Sequence, residues 1–140
     1  MSDIPFHYVD LRTFCYDTED EQRVERALRH FLPADDIEIE RAESEGHHGD
    51  RIVVFSVRVE RASEIRHVFD QLKAGADIDA IRDQLEDRVT ENCEFFVHLD
   101  KQAAYQGEAE LGEGISFRAK VEAYPAKRDA ALENARNALA

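Results

Sequence analysis

Cysteine is scarce in this sequence of 140 residues, which contains only Cys15 and Cys93. A disulfide framework requires more cysteines than this, and two cysteines alone are too few to hold a structural metal ion. We therefore expect both thiols to be reduced and buried. A chain of this length can bury a sufficient apolar core without disulfides or metals, so we expect one domain over residues 1–140.

Long hydrophobic runs are also missing. No apolar stretch approaches the roughly 20 residues that a helix needs to cross a bilayer. The N-terminus has no basic and apolar leader of the kind that directs secretion. The sequence therefore predicts a soluble cytoplasmic protein with no membrane partner.

Catalytic motifs are missing as well. The sequence has no glycine-rich phosphate loop, nucleophile elbow or Cys–His signature. Pairs of acids such as Asp77 and Asp79 say little about acid–base catalysis, because acids are abundant throughout the chain. Metal-ligand spacing is missing among the histidines His7, His30, His67 and His98. We therefore predict a protein that is not an enzyme and has no cofactor or metal.

Acidic residues outnumber basic ones: the chain has 31 Asp and Glu against 18 Lys and Arg, and a formal net charge of −13. This composition, with far more arginine than lysine, resembles that of proteins from salt-accumulating (halophilic) archaea, whose acidic surface keeps them hydrated. The alternative is an acidic protein from an organism with an ordinary intracellular salt concentration, whose partners are basic proteins. At about 1 M salt the Debye length is only ~3 Å, so repulsion from a phosphate backbone would be largely screened. The negative charge therefore does not exclude RNA as a partner.

Hydrophobic periodicity predicts an alternation of strands and helices. Apolar or aromatic residues occupy both sets of alternate positions from Phe6 to Tyr16, which predicts a strand covered at least partly on both faces. A helix should follow, capped by Asp17 or Thr18 and ended by Pro33. Residues 37–40 and 51–59 should form an antiparallel hairpin around a turn at 43–50.

In the second half of the chain, the same periodicity predicts two more helices, two more strands and a closing helix. Ser63 can cap the first of these helices, which should stop near Gly75. The remaining elements are expected over residues 77–91 (helix), 94–99 (strand), 115–124 (strand) and 126–139 (helix). The fold class is therefore α+β: a single domain of mostly antiparallel sheet with helices packed mainly on one face.

The charge balance changes near Glu94. Residues 115–128 contain four basic residues and one acid, Glu122, whereas the chain before them is strongly acidic. In a strand over residues 115–124, side chains at alternate positions share a face, which would bring together Arg118, Lys120, Glu122 and Tyr124.

Lys127 and Arg128 would follow at the start of the last helix, where free backbone N–H groups also favour phosphate. Such cations bind phosphate, and a tyrosine ring can stack on an unpaired base. The alternative is an ordinary solvated face whose cations pair with nearby acids.

A second polar cluster, Asp100-Lys101-Gln102, ends the strand predicted over residues 94–99. In one interpretation Lys101 and Gln102 contact a phosphate or a base edge while Tyr105 stacks on a base. In the other, Asp100 only caps a short helical turn and Lys101 is simply exposed.

The segment His98-Leu-Asp-Lys-Gln-Ala-Ala-Tyr-Gln-Gly, the alternating strand after it and Ala123-Tyr124-Pro125 resemble an archaeal family of RNA-binding domain proteins, also described as predicted exosome subunits. The strand Val9-Asp-Leu-Arg and the acidic helix after it are similar too, so the resemblance covers most of the chain. It implies a fold like that of the ribosomal protein that binds 5S rRNA. Arginine is the more usual residue of this family at the position of His98, so one cationic contact is weaker here.

Our first hypothesis is thus a noncatalytic RNA-binding protein. The resemblance implies structured or ribosomal-type RNA as its partner, together with the exosome or other RNA-processing proteins. The alternative is a protein-interaction or assembly module of an RNA-processing complex without direct RNA contact, in which the same strand face meets an acidic partner or a second copy in a homodimer. The candidate RNA contacts are Lys101, Gln102, Tyr105, Arg118, Lys120, Tyr124, Lys127 and Arg128.

Overall fold

The computed structural model describes residues 4–33, 37–46 and 48–140, and its centre is a five-stranded antiparallel sheet. The strands are β1 (Phe6–Cys15), β2 (Glu40–Glu45), β3 (Arg51–Val59), β4 (Glu94–Asp100) and β5 (Gly114–Val121). The helices of the described ranges are α1 (Glu21–Arg29), α2 (Ala62–Lys73), α3 (Ile78–Asp83), α4 (Leu85–Arg88), α5 (Lys101–Tyr105) and α6 (Arg128–Ala138).

The first strand of the sequence lies in the middle of the sheet, whose order is β2-β3-β1-β5-β4. Leu11 of β1 faces Val57 of β3 on one side and Phe117 of β5 on the other. All four strand pairings are antiparallel. The predicted α+β fold class is confirmed.

The core lies on one face of the sheet, where the helices pack. Phe95 and Phe117 point to this face from neighbouring strands and are at most 1% exposed. Phe69 of α2 meets Phe117 edge-on at 5.3 Å between ring centroids and stacks on Phe6 at 4.1 Å. The expected one-sided packing of helices is therefore observed, because alternate residues of the strands supply the apolar surface that the helices cover.

Several predicted boundaries were wrong. β2 begins at Glu40 instead of residue 37, and its six residues are all exposed. Ile37 and Ile39 do pack against the core, but the paired backbone continues through the acidic residues that we expected to form the turn. The turn itself is tight, since the Gly46 N–H donates to Asp50 O at 2.6 Å.

Helix ends were also less predictable than helix positions. Asp20, rather than Asp17 or Thr18, caps α1 by accepting a 2.9 Å hydrogen bond from the Gln22 N–H. The helix expected over residues 77–91 is interrupted at Gln84, which divides it into α3 and α4. Periodicity locates the buried side of a helix, but a single interruption of its backbone leaves that periodicity intact.

β5 is shorter than predicted and ends at Val121 instead of Tyr124. Val121 pairs with Phe6, the first residue of β1, and the Glu122 N–H still donates to Pro5 O at 2.8 Å. Pro5 has no N–H to donate in return, so the ladder does not continue. Glu122 and Tyr124 therefore do not share a strand face with Arg118 and Lys120.

The longest helix within the described ranges is α2, with 12 residues. None of the helices there combines the length and apolarity that crossing a membrane would require.

Phe95 and Phe96 are adjacent in β4 but face opposite sides of the sheet, which makes them a matched pair for testing one-sided burial. Phe95→Ala removes a fully buried ring and should lower the free energy of unfolding by about 3–5 kcal/mol. Phe96→Ala, on the half-buried side, should cost about 1 kcal/mol or less. Urea denaturation measures both, and equal losses would contradict the described faces of the sheet.

Candidate nucleic-acid interface

The face of the sheet opposite the core is open. On the central strand it presents Tyr8, Asp10, Arg12 and Phe14, which alternate with the buried residues of β1. Arg12 is exposed and the other three are half-buried. The expectation of a strand covered at least partly on both faces is therefore met only in part: Phe6, Val9, Leu11, Thr13 and Cys15 are buried, whereas the open face has three half-buried side chains and one exposed one.

Three arginines meet on this face from three adjacent strands. Asp10 of β1 pairs with Arg58 of β3 and with Arg118 of β5, while Arg12 lies two residues further along β1. Neighbouring strands are only ~4.8 Å apart, so the three side chains belong to one patch. They line a shallow depression of about 680 Å³, closed on one side by Glu38 and Glu40. We call this surface the sheet patch. It consists of Arg12, Arg58 and Arg118 together with Tyr8, Asp10, Phe14 and Phe96 on the same face.

The three arginines differ in how far their charge is compensated. Arg58 donates two hydrogen bonds to the Asp10 carboxylate at 2.7 and 2.8 Å, and these bonds raise its pKa above the ordinary value for arginine. Arg118 is 4.0 Å from the carboxylate of Glu94, with 63% of its side chain exposed. Arg12 lies 5.1 Å from the ring centroid of Phe14 and is in no ion pair within the described part of the chain. Arg12 and Arg118 are thus the cations most available to a ligand.

Aromatic rings flank these cations. Tyr8, Phe14 and Phe96 are half-buried on the open face, and the exposed His98 lies 6.4 Å from Phe96 between ring centroids. The guanidinium of Arg58 covers the ring of Tyr8 at 3.9 Å. The sheet patch therefore combines cations with planar apolar groups that are accessible from solvent.

The residues predicted around β5 only partly join this patch. Arg118 and Lys120 lie on the open face, although Lys120 Nζ already donates to Asn92 O. Tyr124 is 94% exposed in the segment beyond β5, and Lys127 is exposed as the N-cap residue of α6. Arg128 donates to Val89 O at 3.0 Å and to Glu86 O, so its side chain joins α6 to the end of α4.

Lys101 lies at the other end of the sheet and is held inside the protein. Its Nζ donates to Phe14 O and to the Glu19 carboxylate, both at 2.8 Å, and only 14% of its side chain is exposed. A Cβ added at Gly114 would lie 2.7 Å from Lys101 Cβ, so the strand passes very close to this side chain. The charge of Lys101 is paired within the fold, and this geometry gives no support to its predicted contact with RNA.

The predicted residues therefore do not form one composite surface. Lys120 pairs with Tyr8 near one end of β1, whereas Lys101 binds the carbonyl of Phe14 near the other. Phe14 lies six positions after Tyr8, a distance of about 20 Å along the strand at ~3.3 Å per residue. Gln102 and Tyr105 lie beside Lys101, in α5. The candidate RNA contacts therefore lie in separate regions of the molecule, and only those on β5 lie on the face of the sheet patch.

Sequence reasoning missed Arg12, Arg58 and the aromatic residues of the sheet patch. The alternation of β1 did contain the signal, since Tyr8, Asp10, Arg12 and Phe14 occupy every second position. Arg58 could not be placed beside them without the register of β3 against β1, which aligns it with Asp10.

Acidic groups approach one another near Asp100. A hydrogen bond with Glu108 raises the pKa of Glu110, and burial and the charges of Glu108, Asp77 and Asp100 act in the same direction. A site for a divalent metal would need several such groups converging on one point. Among residues 4–33, 37–46 and 48–140, no three His, Cys, Asp or Glu side chains are placed to hold a metal ion.

Comparison with known proteins shows the family to which the chain is related. A family model described as RNA binding matches residues 8–121 of the chain. The chain is also 33% identical over 143 aligned residues to RNA-binding protein PAB1135 of Pyrococcus abyssi, an alignment that covers 95% of this chain and 93% of that protein.

Two solved archaeal structures are similar along almost their whole length. Mth689, a DUF54 protein from Methanothermobacter thermautotrophicus, has 38% sequence identity and a TM-score of 0.82, covering 96% of this chain and 98% of its own. Protein AF2318 from Archaeoglobus fulgidus has 30% identity and a TM-score of 0.83, covering 95% and 99%.

The Lys101–Glu19 pair predicts a pH-dependent contribution to stability. Burial alone would raise the pKa of Glu19, but hydrogen bonds from Lys101 and the Tyr16 N–H, with the Lys101 charge, lower it below 4.5. Because the folded pKa is the lower one, the pair stabilises the fold above pH 4.5, and this stability is lost as the pH falls through the folded value. Glu19→Gln should therefore destabilise the protein near pH 6.5 and progressively less below pH 4.5, as measured by urea denaturation across pH.

A Lys101→Met background supplies the control. The loss of stability caused by Glu19→Gln should depend less on pH in that background, because the group that lowers the pKa of Glu19 is gone. An unchanged pH dependence would show that Lys101 does not act on Glu19.

Proposed function

Because the chain belongs to the archaeal family whose model is described as RNA binding, we propose that it binds RNA noncatalytically through the sheet patch. The observation that carries this proposal is the convergence of Arg12, Arg58 and Arg118 on a helix-free sheet face that also presents aromatic rings. Phosphate binding and base stacking are the two interactions that a protein needs in order to hold RNA without reading a duplex groove.

Phosphate contact falls mainly to Arg12 and Arg118. A guanidinium presents several N–H donors in a planar fork that matches two phosphate oxygens. Arg118 has one distant carboxylate at 4.0 Å, and Arg12 is in no ion pair among the described residues, so binding a phosphate breaks little within the protein. Arg58 is different, because a phosphate would compete with its two hydrogen bonds to Asp10.

Base contact falls to the rings of Phe14 and Phe96, on either side of β5. Each ring is half-buried, so its position is fixed by the sheet while one side of it faces solvent. A fixed ring loses little conformational entropy when a base stacks on it. This supports RNA with unpaired bases, such as the loops and ends of structured or ribosomal-type RNA.

The finer parts of the function stay predictions. Two of them concern activity and partners: the absence of enzymatic activity and the partnership with exosome or other RNA-processing proteins. Two more are the likeness to the 5S rRNA-binding ribosomal protein and a salt-rich cytoplasm. All four rest on the sequence. If the chain is instead an assembly module, protein partners should co-purify with it even after nuclease treatment, and its RNA affinity should not depend on the sheet patch.

Removing both available arginines tests the phosphate contacts. Arg12→Ala/Arg118→Ala should weaken binding of a short single-stranded RNA by about tenfold or more and reduce the slope of log K against log salt by about 1 to 2. Fluorescence anisotropy across salt concentrations measures both quantities. Arg136→Ala removes an exposed charge from the last turn of α6 and is the control. If Arg136→Ala weakened RNA binding as much as the double variant does, binding would depend on the net charge of the protein and not on the sheet patch.

Phe96→Leu tests the stacking contact while keeping an apolar side chain in β4. Loss of the aromatic face should weaken RNA binding by about 1–3 kcal/mol at any salt concentration, with little change in the salt slope. Tyr124→Leu gives a comparison at the exposed aromatic that the sequence singled out. A larger effect at Tyr124 than at Phe96 would move the binding surface from the sheet to the segment after β5.

A further inference from the structure

A second cationic region lies on the helix side of the molecule, where α1 and α5 run beside each other. Two depressions flank the ring of Tyr105: one of about 620 Å³, lined by Arg26 and His30, and one of about 280 Å³, lined by Arg23 and Gln102. We call this region the α1/α5 groove. It contains Gln102 and Tyr105, which the sequence singled out but the sheet patch does not include.

Two arginines of α1 are arranged around the tyrosine ring. The guanidinium of Arg23 lies 4.4 Å from the ring centroid of Tyr105, and that of Arg26 lies 5.8 Å from it. Arg23 and Arg26 are three residues apart on one helix, so their Cβ atoms are about 5–6 Å apart and their side chains can reach one anion together. The ring holds both guanidinium groups near the groove through cation–π attraction.

The acids around the groove are already engaged. Glu19 accepts from Lys101, and Glu25 accepts from Arg29 Nε at 3.0 Å. Asp20 caps α1. Within the described part of the chain, Arg23 and Arg26 take part in no ion pair, and both are exposed. In a chain with a net charge of −13, two uncompensated arginines beside one ring form a local exception.

The nearby histidine does not supply this charge. Burial lowers the pKa of His30, and the neighbouring His67 lowers it further, so the imidazole is neutral at neutral pH. A neutral ring can still donate one hydrogen bond to a ligand oxygen.

From this arrangement we infer that the α1/α5 groove is a second binding site, which takes a phosphate group between Arg23 and Arg26 and the attached nucleoside against Tyr105. Phosphate fits because paired guanidinium groups bind its oxygens in a planar, bidentate manner. A nucleoside fits because the tyrosine ring is a stacking surface and the groove continues on both of its sides. Assigning the phosphate to an RNA strand rests on the proposed function, whereas the anion site itself does not.

The site is separate from the sheet patch. α1 packs on the core face of the sheet, where Val24, Ala27 and Leu28 are buried, and the sheet patch lies on the opposite face. A single nucleotide cannot occupy both places. Each region therefore has its own set of cations, and each can be removed without the other.

The experiment observes the Nε–Hε NMR signals of the arginines in ¹⁵N-labelled protein. The probes are inorganic phosphate, adenosine monophosphate and a single-stranded RNA of about ten nucleotides, a length typical of single-strand binding sites. We expect all three to shift the signals of Arg23 and Arg26. The shifts should persist in the Arg12→Ala/Arg118→Ala protein, in which the sheet patch has lost its available cations.

Affinity measurements complete the test. Arg23→Ala/Arg26→Ala should weaken RNA binding several-fold and lower the salt slope by about 1 to 2. Arg12→Ala/Arg118→Ala is the matched double variant with the same change in charge, and Arg136→Ala is the control. Tyr105→Phe keeps the ring and should bind normally, whereas Tyr105→Leu should bind more weakly.

The outcomes separate this inference from the proposed function. RNA binding that is unaffected by Arg23→Ala/Arg26→Ala, with no shift of the Arg23 and Arg26 signals, overturns the second site and leaves the sheet patch standing. Shifts caused by adenosine monophosphate in a protein that binds no RNA keep the second site, identify its ligand as a free nucleotide and overturn the proposed function. The absence of shifts with every probe overturns the second site.

Discussion

One-sided burial of the sheet is the constraint on which the rest of this structure depends. Successive side chains of a strand point to opposite faces, so a strand that buries Val9, Leu11 and Thr13 must present Tyr8, Asp10 and Arg12 to the other side. Among the residues that the structure describes, the helices pack on one face of the sheet and leave the other accessible. The side chains that form the core and those of the open face are thereby different residues of the same strands, so the open face can change without disturbing the core.

Because β1 lies in the middle of the sheet, the same constraint applies to the strands on both sides of it. Because β1 pairs with both β3 and β5, its register fixes which residues of all three strands become neighbours. Asp10 is thus placed between Arg58 and Arg118, and it compensates Arg58 while Arg118 stays largely exposed. Thr13, a buried polar residue of the core face, is accommodated because its hydroxyl donates to Gly114 O at 2.7 Å. The arrangement of the patch is therefore a consequence of pairing, and no local motif encodes it.

The sequence predicted the parts of the fold that depend on periodicity. β1, β3 and β4 are close to where alternation placed them, and so is the buried side of each longer helix. It failed where an outcome depended on distant residues. β5 ends beside Pro5, which has no N–H to donate to the ladder, and the alternation that predicted a strand covered at least partly on both faces could not show that Tyr8 and Phe14 are only half-buried. Hydrophobic type alone does not tell a core residue from a ring that is only half-buried on an open face.

The same limit explains why the sequence could not show which cations are paired within the fold and why the net charge is a poor guide to binding. The less acidic charge balance of the last part of the chain favoured Lys101 and Arg128 as cations for a ligand, yet Lys101 pairs with Glu19, 82 residues away, and Arg128 donates to Val89 O, 39 residues away. Arg23, by contrast, lies in a strongly acidic segment, but its acidic neighbours Glu19 and Asp20 are engaged by other donors. A phosphate responds mainly to the charges that remain uncompensated within about one Debye length, roughly 8 Å at 0.15 M salt, since more distant charges are screened. A chain with a net charge of −13 can therefore offer two cationic surfaces, provided that its acids are occupied elsewhere in the fold.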